Sequence, residues 1–212
     1  MGRAQAVAPR FPGREGARFP ALTLGLSCLA IAATLSPRLS ELLIYDRGLI
    51  LSGEPWRIAT APFVHLSASH LFFDLLVFCL AGILLETADR RGFLLLGILS
   101  ILLPGLFFLA FCPGLLRYGG LSGPAVGAAA LLCLQRAGEP GRARWAWAAV
   151  LAVIVVKTAV ESATGAAFFA RSGNEPFRVL SSAHAIGMAA ALAVFLMRRP
   201  DRPRPPRTSP AP

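Results

Sequence analysis

Charge is what this sequence has least of. Of 212 residues, 15% are Asp, Glu, Lys or Arg, where a soluble domain carries about 25%. Lysine occurs once, as Lys157, and histidine three times, as His65, His70 and His184. The four cysteines, Cys28, Cys79, Cys112 and Cys133, form no CxxC pair and no Cys/His zinc spacing. That excludes a zinc site of recognisable pattern, and the thiols read as small apolar packing groups. HExxH is missing too, and no metal or other cofactor is expected.

What the chain does have is apolar length. Its residues are 55% hydrophobic, with a mean hydropathy of +0.62. Runs close to the length that crosses a bilayer recur along it. The expectation is an all-α polytopic membrane protein with a six-transmembrane-helix bundle. The net charge of +10 is then a topology signal with the lipid bilayer as partner, and no nucleic acid is expected.

Six runs carry the spans. Residues 1–20 are a basic, Pro/Gly-rich tail. The first run, 21–35, ends at Ser36-Pro37. It reads as a retained span rather than a signal peptide, because no small-residue cleavage site followed by a soluble domain comes after it. A mixed loop, 37–57, holds amphipathic pieces such as Leu42-Leu43-Ile44-Tyr45 suited to the interface. The second run, 58–85, is broken early by Pro62 and is followed by a charged turn at 86–91. The third, 92–111, carries Pro104-Gly105 as a kink. After a glycine-rich connection, 112–121, the fourth run is only 122–134. The fifth is 145–160, with Trp145 and Trp147 at the interface. The sixth is 179–197, and 198–212 is a basic, Pro-rich tail. The domain proper is 21–197.

Six spans put both termini on one side. Arg3, Arg10, Arg14 and Arg18, then Arg90 and Arg91, then Arg136, Arg142 and Arg144, then five arginines of the C-terminal tail share that side. Arg38, Arg47, Arg57, Arg117, Arg171 and Arg178 lie opposite. Positive-inside places both tails in the cytoplasm. In a bacterium this is the inner, or cell, membrane.

Chemistry concentrates at Tyr118-Gly119-Gly120-Leu121-Ser122-Gly123-Pro124. Glycines let another chain lie against this backbone, and Pro124 suits a first helical turn. Ser122 therefore opens a helix whose unpaired N–H groups favour an anion. That is the setting of an activated nucleophile with its oxyanion hole beside it. It is also the setting of an ordinary serine N-cap. The fourth run covers about 20 Å of a core about 30 Å thick, so Ser122 should start below the surface.

With the N-terminus inside, His70, Ser122 and His184 fall at similar depth below the outer face. Polar groups in spans mark function by default. Gly187 and Ala191 are four apart and form a small-residue seam for the sixth span to meet Gly123, Gly127 and Ala128 of the fourth. His184 could then serve Ser122 as general base. His70 and Asp74, at i and i+4, share a helix face. His70 reads as an oxyanion donor that Asp74 orients, and His65, five residues earlier, should point elsewhere and nearer the surface. Lys157 and Glu161, one turn apart, read as a paired end charge.

Three separated motifs resemble those of the rhomboid intramembrane serine proteases. They are Gly120-Leu121-Ser122-Gly123 (GxSG), Ala183-His184-Ala185-Ile186-Gly187 (AHxxG), and His70-Leu71-Phe72-Phe73-Asp74, preceded by Phe63-Val64-His65 and Trp56-Arg57. The likeness covers roughly residues 40 to 195. It implies a catalytic dyad of Ser122 and His184. An oxyanion site would be formed by His70 and the Ser122 amide, with Asp74, Gly120 and Leu121 in support. Asp74 stands where most rhomboids have asparagine, and with a compact core this is similar to the rhombosortase branch. The implied substrates are membrane-anchored proteins cleaved near the outer face, for that branch ones with glycine-rich C-terminal anchors. The alternative is a non-catalytic rhomboid-like protein that binds transmembrane segments. Such relatives lack the serine or the histidine.

Overall fold

The computed structural model describes residues 19–164 and 181–198. Both expected tails, apart from the few residues nearest the bundle, lie outside this range, as do most of the loop after the fifth run and the first residues of the sixth. Helices α1 (Ala21–Leu35), α5 (Ala68–Ala88), α6 (Arg90–Phe111), α7 (Ser122–Ala137), α8 (Ala143–Thr164) and α9 (Ser181–Met197) correspond to the six runs. Three of them, α5, α6 and α8, are long and apolar enough to cross a membrane unaided. A fourth span arises if α1 is joined to α2 (Pro37–Leu43), which is bent 113° from it. Short α3 (Arg47–Leu51), α4 (Trp56–Thr60) and a 3-10 turn, Ala61–Phe63, complete the helices.

The second run is not one helix. Pro62 sits in the 3-10 turn, and Val64 leaves it with extended dihedrals, φ −98° and ψ 130°. Ser67 then caps α5, its hydroxyl accepting from the His70 amide at 3.2 Å. The chain therefore turns between His65 and His70. At its other end α5 runs on through Glu86, so the expected turn shrinks to Asp89. Pro104 leaves α6 unbroken. At the neighbouring Gly105 an added Cβ would come within 2.9 Å of Ile58 Cγ2, which seats α4 against α6.

Glu86 has a structural task. Its carboxylate is buried and accepts from Leu22 N (3.0 Å), Thr23 N (2.8 Å) and Thr23 Oγ1 (2.9 Å). Pro20, at the cap position of α1, supplies no side-chain cap. A distant carboxylate thus satisfies orphan amides of the first helix and meets the positive end of its dipole.

The loop between α1 and α5 is folded around buried Arg57. Its guanidinium donates to Glu54 Oε2 (2.7 Å), Glu41 O (2.6 Å) and Ile44 O (3.0 Å). Strands β1 (Tyr45–Asp46) and β2 (Arg117–Tyr118) pair antiparallel, Tyr45 opposite Tyr118. This short ribbon ties the loop to the residues just ahead of the glycine turn.

The main core lies between α1, α5, α6, α7 and α9, with Phe78, Leu85, Phe93, Leu96, Leu131 and Val194 among its buried members. The outside is apolar as well. On α8 only Thr158 and Glu161 are buried, while Val150, Val153, Val156 and Val160 are exposed. A helix apolar on its exposed face needs a non-aqueous neighbour, and lipid supplies it.

Candidate active site

The centre of the bundle is a seam of backbone against backbone. A Cβ added at Gly123 would lie 3.2 Å from Ala183 O, and one at Gly127 would lie 2.9 Å from Gly187 O. One at Gly187 would collide with Gly123 O. The partners advance together along both chains, so α7 and α9 run parallel and in register. Only residues without side chains permit this approach. Gly123 abuts Ala183, so Ser122 and His184 are each one residue along the chain from that contact.

Ser122 is the first helical residue of α7, not its cap. Leu121 holds the cap position with φ −78° and ψ 1°, and no side chain caps the helix. The N-cap reading of this serine therefore fails. The Ala125 amide bonds back to Leu121 O at 2.9 Å, and Pro124 has no N–H. The amides of Ser122 and Gly123 are the first-turn donors that the helix cannot use itself.

The turn ahead of Ser122 is pressed onto the chain break that precedes α5. Gly120 N donates to Ala61 O at 3.3 Å. A Cβ on Gly119 would stand 2.6 Å from Val64 O. Gly120 has φ +131°, and a Cβ there would stand 2.6 Å from His70 Cε1 and 2.9 Å from His70 Nε2. Glycine is required on both counts. The Cε1–Nε2 edge of the His70 ring thus lies against the backbone that delivers the serine. Tyr118, just upstream, has its hydroxyl 3.5 Å from Gly120 O, and burial raises its pKa above the ordinary phenol value.

His65 corrects an expectation. It is not near the surface but buried, 4% exposed, with Nε2 3.2 Å from Asp74 Oδ2. His70 Nε2 is 3.2 Å from the same oxygen, and the two rings stand edge to face with centroids 5.0 Å apart. Counting five residues along a helix misplaces His65 because no helix joins it to His70. Leu121 N–H, expected in the oxyanion group, donates to His65 Nε2 at 3.2 Å. One ring nitrogen cannot both accept from an amide and donate to a carboxylate, so Leu121 and Asp74 compete for it. Asp74 does contact His70, as an orienting group must. Among the described residues no cluster of His, Cys, Asp and Glu has the arrangement of a metal site.

On the other side of the serine, His184 is buried on α9. Its Nδ1 lies 3.1 Å from Glu161 Oε2. Glu161 Oε1 accepts from Lys157 Nζ at 2.6 Å. The expected Lys157–Glu161 pair is present, but it is half of the arrangement. Sequence reasoning misses the imidazole contact, because nothing in the spacing of residues 161 and 184 connects them. A lone acid in an apolar run is the one signal that could have found it. His184 Nε2 is buried and has no hydrogen-bond partner among the described residues. No hydrogen bond therefore joins His184 Nε2 to Ser122 in this structure.

A model of the Rhomboid domain matches residues 52–200, which is most of the chain and includes all of these groups. The chain belongs to the rhomboid family. No curated protein matches it. As a rhomboid with apolar outward faces it is a membrane protein, and its surroundings are a lipid bilayer.

Proposed function

We propose that this rhomboid is an intramembrane serine endopeptidase with Ser122 as nucleophile and His184 as general base. The observation that carries the reading is the glycine seam. It holds residues 123 and 183 in backbone contact, which sets the serine and the histidine each one residue along the chain from that contact. In the proposed reaction Ser122 Oγ attacks a peptide carbonyl carbon and gives its proton to His184 Nε2. The oxyanion is met by the Ser122 amide and by His70, whose ring Asp74 orients. The C–N bond breaks as Nε2–H passes its proton to the leaving amine. Water then attacks the acyl-enzyme, gives a proton to Nε2, and the ester C–O bond breaks with a proton returned to Oγ.

The substrates we propose are membrane-anchored proteins. Their anchor enters from the lipid between α5 and α8 and unwinds at small residues, exposing the carbonyl. The site would open to the outer side of the cell membrane, with both termini cytoplasmic by the arginine distribution. Asp74 at the position beside His70 favours the rhombosortase branch, with glycine-rich C-terminal anchors as its substrates.

A fluorophosphonate probe tests the chemistry without a known substrate. It should label the full chain in detergent, and Ser122→Ala and His184→Ala should abolish labelling while the proteins remain folded. Equal labelling of Ser122→Ala would reject the nucleophile. The non-catalytic alternative predicts no labelling of any form. It is disfavoured because the serine and the histidine are both present.

A further inference from the structure

Glu161 lies outside the serine–histidine dyad, yet its carboxylate is built into the same centre. The side chain is 2% exposed and places one oxygen 2.6 Å from Lys157 Nζ and the other 3.1 Å from His184 Nδ1. A charge on a lipid-facing helix turns toward the bundle or the interface, and Glu161 turns onto an imidazole. Its neighbours Val156 and Val160 are exposed, and Lys157 alone would pair with it equally well at the surface. Burying a carboxylate costs several kcal/mol unless its oxygens are well paired. Here each oxygen has its own donor, and one of those donors is the imidazole of the proposed base.

The hydrogen bonds define a tautomer. Opposite the Lys157 ammonium the carboxylate is an acceptor only. The shared hydrogen must then be on His184 Nδ1. The neutral ring consequently keeps its lone pair on Nε2, the buried nitrogen without a hydrogen-bond partner among the described residues. That is the form a general base needs.

We propose that Glu161 is a positioning residue for His184, converting the serine–histidine pair into a Ser122–His184–Glu161 relay with Lys157 steadying the acid. It accepts Nδ1–H throughout. When Ser122 Oγ–H transfers its proton to Nε2, the imidazolium that forms is held against the carboxylate, and no proton passes to Glu161. The inference rests on the proposed protease chemistry, and the test separates the two.

The experiment uses the full chain in detergent micelles and a fluorophosphonate probe, with the maximal labelling rate and the probe's half-saturating concentration measured separately. Glu161→Gln is the informative change, because its amide can present N–H to Nδ1 and stabilise the wrong tautomer. The maximal rate should fall about 10²-fold or more, with half-saturation changed by less than about twofold. Glu161→Asp should recover part of the rate, and Lys157→Met should lower the rate less than Glu161→Gln does. The ¹⁵N spectrum of labelled histidine, assigned with the His184→Ala difference, should show Nδ1–H and an unprotonated Nε2 for His184 in the wild-type protein. Ser122-dependent labelling that Glu161→Gln leaves unchanged would overturn the role of Glu161 alone. An Nε2–H tautomer in the wild-type spectrum would overturn it even if the variants fail to fold. Labelling that survives Ser122→Ala would instead remove the protease reading.

Discussion

Two carboxylates meet histidines in this bundle, and they are built differently. Asp74 on α5 puts one oxygen against two imidazoles, His65 and His70. It knits the chain break at Pro62 to the start of α5 and, through His65, to the Leu121 amide. Glu161 on α8 spreads its two oxygens over an ammonium and one imidazole. The first centre gathers three stretches of backbone as scaffold for the glycine turn and, in the proposed reaction, orients the oxyanion donor His70. The second contacts a single ring and, in the proposed reaction, holds it in one tautomer. A buried acid is thus understood from what its partners do next, not from its burial.

That contrast can be broken. The largest effect expected is from Asp74→Ala, which takes a shared carboxylate oxygen from two buried imidazoles. It should cost about 3 kcal/mol or more of folding stability, measured by denaturant unfolding of the detergent-solubilised chain. A loss under about 1 kcal/mol would remove the scaffold reading. Gly120→Ala sharpens it, because the new Cβ meets the His70 ring at a backbone angle that L residues rarely adopt. It should cost about 1–3 kcal/mol and slow probe labelling sharply; labelling at the wild-type rate would show that the ring position is irrelevant.

A smaller effect is expected at Lys157, whose side chain is 27% exposed. Lys157→Met should cost about 1–2 kcal/mol, since one buried oxygen of Glu161 loses its donor while the other keeps its imidazole. A collapse of the fold on this change would make the ion pair, rather than His184, the reason for Glu161. The smallest effect is expected from Asp74→Asn. With its oxygen where Asp74 Oδ2 stands, the amide can accept from either ring as the carboxylate does, so the site keeps its contacts without a charge. Stability should shift by less than about 1 kcal/mol and labelling should persist. A large loss of either would mean that the charge itself is needed.

Part of the site is legible in the sequence. The six apolar runs, the glycine turn, and the small residues at 123, 127 and 187 each carry a local signature. Serine, histidine and glycine are costly or unusual at such depth, so they stand out. His65 is misplaced by helical counting, because the count crosses Pro62, where the chain is extended. Glu86 reads as a turn residue because its partners, the first amides of α1, lie 63 and 64 residues away. The cap reading of Ser122 lasts until the backbone dihedrals give that position to Leu121.

The sequence alone determined the medium and the materials. Apolar runs with little charge require lipid, and glycines spaced by four allow two helices to touch. It could not determine which acid serves which imidazole. That choice lies with α5, α8 and α9 packing around α7, because residues far apart along the chain become neighbours only when the whole bundle closes. A hydrogen bond of about 3 Å is fixed by that closure and by nothing local.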